Sequence, residues 1–100
     1  MISREIYTKN KFKDNELIDA ITKTLNIGKE EVLIIKNSNG WLKKENQSVV
    51  VEYNGLLDDE DTDQYIGYYY YDIWFDNDKN INLLKTLENN LGDGVVIELY

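Results

Sequence analysis

The chain of 100 residues contains no cysteine, no histidine and no proline, and a single arginine against ten lysines. Each absence removes a class of function. Without thiols there is no disulfide framework and no thiolate metal site, which suits a reducing compartment, so the cytoplasm is the expected location. Without histidine and cysteine the commonest general base, the usual metal ligand and the best thiolate nucleophile are all missing. No GxSxG, P-loop or GxGxxG spacing occurs. The expectation is a protein that is not an enzyme, with no catalytic residue, no cofactor and no bound metal. Apolar runs are short as well. None approaches the ~18 residues that could span a bilayer, and the opening MISREIYTKNKFKDN lacks the apolar stretch of a signal peptide. No internal repeat, proline-rich linker or low-complexity tail interrupts the sequence, so a single domain over residues 1–100 with one modest core is expected.

What the chain has in excess is negative charge. The formal net charge is −8 and the pI about 4.4. Like charge repels nucleic acid and anionic membranes, so neither is expected as a direct ligand, and a basic protein is the natural complement. The charge is unevenly placed. Residues 1–44 sum to +3, residues 45–78 carry ten acids and no basic residue for −10, and residues 79–100 sum to −1. Inside the middle segment, Asp58, Asp59, Glu60, Asp61 and Asp63 run directly into a stretch holding five tyrosines, Trp74 and Phe75.

Periodicity supplies the outline. Ile2–Thr8 reads as a first strand centred on Ile6 and Tyr7. Asp14 is placed to cap a helix on which Leu17, Ile18, Ile21 and Leu25 recur at helical spacing, with Gly28 as the stop. Glu31–Lys36 (EVLIIK) is β-branched enough for the middle of a sheet. Asn39-Gly40 marks a tight turn, after which Trp41 and Leu42 open a return strand and Lys43–Gln47 form a second turn or a bulged continuation. Ser48–Tyr53 is a strand closed by Asn54-Gly55. In the strand Tyr65–Phe75, Tyr69, Tyr71, Ile73 and Phe75 share one face, and Tyr68, Tyr70, Asp72 and Trp74 the other. A charged Asp72 is costly in a core, so the first set is assigned to it. Asp78 or Asn80 caps a second helix with Ile81, Leu84, Leu87 and Leu91 inward, Gly92-Asp93-Gly94 ends it, and Val95–Tyr100 is the last strand. This order predicts an α+β two-layer sandwich: a mixed or antiparallel sheet of four to six strands with two helices on one face. The outline resembles a ferredoxin-like split βαβ with an extra hairpin.

Two carboxylate spacings invite a metal reading and fail it. Asp59-x-Asp61-x-Asp63 opens like a calcium loop but has Gln64 sixth and Tyr70 twelfth, where glycine and a bidentate glutamate belong. Asp76-x-Asp78-x-Asn80 has Ile81 sixth. The tyrosine run has a plain explanation in β propensity, and half of its rings are expected in the core. Tyr68, Tyr70 and Trp74 beside Asp72 are left over. Exposed rings next to a carboxylate have the composition of a binding hot spot, each worth about 2 kcal/mol or more when a partner buries it. Charge runs also keep proteins soluble and blunt sheet edges. Taken with the rings, the acids read as a partner-binding set: Asp58, Asp59, Glu60, Asp61, Asp63, Tyr68, Tyr70, Asp72, Trp74 and Asp76.

The expectation is thus a small cytoplasmic protein, monomer or homodimer, that binds and inhibits a basic protein. Size, acidity, missing catalytic residues and tyrosine richness resemble bacterial immunity proteins as a class, which would imply a nuclease-type toxin as the partner. A phage or plasmid DNA mimic acting on a restriction or CRISPR effector is the alternative, disfavoured because the acids cluster in one loop and two turns. A homodimeric structural or regulatory module is another.

Overall fold

Alternating apolar residues build one side of a sheet, and helical spacing builds the layer that covers it. The computed structural model describes residues 2–36, 48–58, 64–76 and 78–98. The turn at Asn39-Gly40, the strand expected from Trp41, and the acids Asp59, Glu60, Asp61 and Asp63 lie outside the described residues. The elements are β1 (Ile2–Thr8), α1 (Asp14–Leu25), β2 (Val32–Ile35), β3 (Val49–Leu56), β4 (Tyr69–Phe75), α2 (Leu84–Leu91) and β5 (Val95–Ile97). Short 3-10 segments, Lys29–Glu31 and Asp78–Leu83, lead into β2 and α2.

The five strands form one sheet in the order β2-β3-β4-β1-β5, with β2 and β3 parallel and every other pair antiparallel. This is the α+β two-layer sandwich with a mixed sheet. β1 and β2 run parallel, joined through α1, and β4 and β5 run parallel, joined through α2. With β3 set aside, the order β5-β1-β4-β2 interleaves two split βαβ units, the ferredoxin-like arrangement; β3 is the additional strand.

The core lies between the helices and one face of the sheet. Ile6, Val49, Val51, Tyr71, Ile73, Phe75, Val95 and Ile97 point into it from the strands, and Leu17, Ile21, Leu25, Leu84 and Leu87 from the helices. Side chains of this kind contribute about 1.5–3 kcal/mol each when fully buried. α1 neighbours β2, α2 neighbours β5, and the helices touch each other. Glu88 of α2 accepts the outward N–H of Ile97 at 2.9 Å, tying the helix to β5 at the sheet's end. Glu31 does the same for the other end: its carboxylate accepts Gly28 N–H at 3.0 Å and the Ser48 hydroxyl at 2.9 Å, fixing the start of β2 against the start of β3. No helix among the described residues is long and apolar enough to cross a membrane.

Several local readings are corrected. Among the described residues β2 pairs with β3 alone, with Val32 buried and Leu33–Ile35 half-buried. Its continuous apolar run answers to neighbours on both faces. β2 and β3 pair in parallel. β3 does not close at Asn54-Gly55: it continues to Leu56 through a bulge, with Tyr53 opposite Tyr71 and Gly55 opposite Tyr70. Gly55 has φ 97, a left-handed value that this bulge requires. β4 starts at Tyr69 rather than Tyr65, because residues 64–67 turn and Gly67 N–H bonds to Leu57 O at 2.8 Å. Lys13, not Asp14, precedes the first turn of α1, where Glu16 accepts the Lys13 N–H at 3.3 Å. That helix ends on Asn26 in the left-handed region, two residues before Gly28. α2 is two turns long, and no side-chain cap opens it: the 3-10 segment Asp78–Leu83 occupies the expected first turn.

Candidate functional site

Since both helices cover one side of the sheet, every second strand residue faces away from them. Strand register arranges those residues in rows. Glu52 of β3 is opposite Asp72 of β4, and Asp72 is opposite Glu5 of β1. Glu98, just past β5, continues the antiparallel register opposite Glu5 and donates its N–H to Glu5 O at 2.9 Å. Four carboxylates thus stand side by side across four strands. No described lysine or arginine forms an ion pair with any of them; the pairs present are Lys29–Asp19, Lys36–Asp14 and Lys85–Glu88.

Neutral donors hold the row instead. Tyr7 donates to Glu5 Oε2 at 2.5 Å, Tyr65 to Glu98 Oε1 at 3.0 Å and Tyr70 to Asp72 Oδ1 at 3.0 Å, with Glu5 Oε1 3.5 Å from the same Tyr70 hydroxyl. The bulge in β3 adds a fourth donor, because it aims the extra residue Asn54 at this face, and its Nδ2 reaches Asp72 Oδ2 at 2.9 Å. Glu52 Oε2 is buried and has no hydrogen-bond partner among the described residues. Hydroxyls and an amide orient the oxygens of Glu5, Asp72 and Glu98, and no cation among the described residues pairs with the row. Burial raises the Tyr7 phenol well above its ordinary value, with the Glu5 bond and charge adding to it. Burial also raises Tyr70, followed by the charge and bond of Asp72. Tyr65 is raised by burial and then by Glu98.

Aromatic rings flank the row on one side. Tyr7 stacks on Tyr65 at 4.1 Å between centroids and on Tyr70 at 5.4 Å, and Tyr68 meets Tyr65 edge-on at 5.5 Å. Lys9 Nζ stands 6.0 Å over Tyr68 at the outer end of this cluster. On the other side of the row are Trp74, Val50 and Leu33, in register across β4, β3 and β2.

Of the residues singled out in the sequence, Tyr70, Asp72 and Trp74 lie together on this open face and Tyr68 joins its aromatic cluster. They are half-buried rather than fully exposed; Tyr70 and Tyr68 lean on the rings of Tyr7 and Tyr65. Asp58 and Asp76 are exposed but lie beyond the ends of β3 and β4. Asp76 is four residues from Asp72, about 13 Å along an extended chain, and is not part of the row. Asp59, Glu60, Asp61 and Asp63 are outside the described residues. Glu5, Tyr7, Glu52, Asn54, Tyr65 and Glu98 were not anticipated. Their signal was available in the alternation of ISREIYT and VVVEY, each of which puts one glutamate on the face away from its buried residues. Among the described residues no group of three or more acids is arranged to hold a metal ion. Compared with protein-family models, curated proteins and solved structures, the chain finds no match in any of the three.

Proposed function

We propose that the open face of the sheet binds a basic protein, and that the chain is a cytoplasmic, non-catalytic inhibitor of the immunity type whose partner is a nuclease toxin. The observation that carries this reading is the row Glu52–Asp72–Glu5–Glu98, held by hydroxyls and an amide and met by no cation among the described residues. Like charges directly opposite one another across strands are unfavourable. A partner that inserts lysine or arginine side chains along the row relieves that repulsion on docking. The tyrosine cluster and Trp74 on either side supply apolar area and ring faces for the same cations. A nuclease must present a cationic cleft to hold phosphates, so such a surface is complementary in charge, and long-range attraction raises the association rate.

The test is protection. The chain is co-expressed with each basic, growth-inhibiting product of the reading frames neighbouring its own, and host survival is scored for the native protein and for Glu5→Gln, Asp72→Asn and Trp74→Ala. Native protection that fails with Glu5→Gln and Asp72→Asn supports the reading, together with an association rate that falls steeply with salt in the native complex and less in the variants. Equal protection by the native protein and all three variants removes the open face from the interaction. No protection by the native protein removes the inhibitor function.

A further inference from the structure

The helix side of the sheet carries a feature of opposite charge. Beside the start of α1 and the ends of β2 and β3 is a cavity of about 610 Å³. Lys11, Lys13 and Lys36 line it, and its walls are Phe12, Ile34, Tyr53 and Tyr71. We propose that this cavity binds a small organic anion: a flat aromatic body bearing a phosphate or carboxylate group. The volume falls in the range of small-molecule sites, which are concave, mostly apolar and equipped with a few placed polar groups.

Three observations select the ligand chemistry. First, the cavity is cationic on a chain whose net charge is −8. Asp14 also lines it, but its carboxylate is met by Lys36 at 2.5 Å, and neither Lys11 nor Lys13 has an ion pair among the described residues. Second, the rings present faces to one another at short range. Phe12 and Tyr53 lie 5.2 Å and 5.1 Å from Tyr71, both tilted, and Lys11 Nζ is 4.6 Å over the Tyr53 ring. An anionic group drawn to Lys11 therefore sets the body it is attached to against aromatic walls. Third, Tyr71 is 3 % exposed, yet its hydroxyl is only half used. It accepts the Phe12 N–H at 3.2 Å and donates to no acceptor among the described residues. A buried hydroxyl normally spends its hydrogen, and an anionic oxygen in the cavity supplies the acceptor. The open acidic face lies on the other side of the sheet, so this site is separate from the protein-binding surface and does not depend on it.

The experiment is an NMR titration of the full chain with phenyl phosphate and with benzoate, using inorganic phosphate and phenol as the two halves of the probe. The expected result is saturable shifts at the amides of Phe12, Lys13 and Tyr53 with phenyl phosphate or benzoate, and weaker binding of inorganic phosphate and of phenol. Which of the two probes binds more tightly assigns the anionic group. Lys11→Ala with Lys13→Ala weakens the better probe about tenfold or more, and Lys11→Arg with Lys13→Arg retains it. These side chains are exposed, so the variants keep the core. Tyr71→Phe, which keeps the ring in place, weakens binding several-fold. Shifts that do not saturate by about 10 mM probe, or that are unchanged in the double alanine variant, overturn the proposal. So do shifts spread equally over Lys23 and Lys85.

Discussion

Replacing Asp72 by asparagine separates two contributions of the carboxylate row, because one is screened by salt and the other is not. Asp72 stands directly opposite Glu52 on one side and Glu5 on the other. Directly opposed like charges are unfavourable by about 0.2–1 kcal/mol per pair, so removing its charge relieves about 0.4–2 kcal/mol at low ionic strength. Against this, the carboxylate accepts from Tyr70 and Asn54. A hydrogen bond to a charged group contributes about 1.5–3 kcal/mol where a neutral one contributes about 0.5–1.5. For a half-exposed group the smaller end applies, and losing charge assistance costs about 1 kcal/mol. At ~0.01 M salt the two effects nearly cancel, and the variant is close to native in stability. At ~1 M salt the Debye length is about 3 Å, the cross-strand repulsion is screened, and a loss of about 1 kcal/mol remains. Urea unfolding followed by tryptophan fluorescence at the two salt concentrations reads this difference directly. Asp93→Asn is the control, since it removes the same charge from an exposed turn away from the row. A stability change for Asp72→Asn that does not grow with salt, or that matches the control, refutes the reasoning.

Three further outcomes follow from the same geometry. Tyr7 and Tyr70 both have raised folded-state values, so the stability they contribute is fully present below about pH 10 and is lost as pH rises through those values; absorbance at alkaline pH shows tyrosine still protonated beyond about pH 11, and Tyr7→Phe and Tyr70→Phe each remove part of that late fraction. Ile73→Ala empties a site that is 0 % exposed at the centre of the core and costs about 2–5 kcal/mol in urea unfolding. Gly55→Ala meets no atom within 4 Å, so its cost of about 1–2 kcal/mol is backbone strain at φ 97; Asn54 is displaced with it, and a stability equal to native means that the bulge is absent.

The sequence made one face of β4 readable because aromatic and aliphatic residues alternate there with a charge that no core accepts. Asp72 alone decides which set of rings is buried, and Tyr71, Ile73 and Phe75 are buried accordingly. Strand order was not readable in the same way. The run VLII carries no polar residue to tell its neighbours apart: its side chains face the helix layer on one side and Glu52, Val50 and Trp74 on the other, and among the described residues its sheet partner is β3, in parallel. The carboxylate row was hidden for a different reason. Glu5, Glu52, Asp72 and Glu98 are scattered over 94 positions of the chain, and only antiparallel register brings them together. The contiguous acids after Leu57 mark only a local concentration of charge. The arrangement on the open face is set by long-range pairing, which charge density along a sequence does not report.

That distinction gives the row its meaning. Three neighbouring carboxylate pairs oppose folding by about 0.6–3 kcal/mol in total, a sizeable share of the 5–15 kcal/mol that holds a domain of this size together. A change at any one of the four positions would lower the repulsion, and the tyrosine hydroxyls do nothing to reduce the charge. A surface that accepts such repulsion is expected where binding, not folding, sets the requirement. On this argument, stability and binding are separable at Asp72 in low salt. In low salt, Asp72→Asn is expected to fold as well as the native chain and, under the proposed function, to lose affinity for a basic partner. Weakened binding that appears only alongside weakened folding would mean that the row serves the sheet itself.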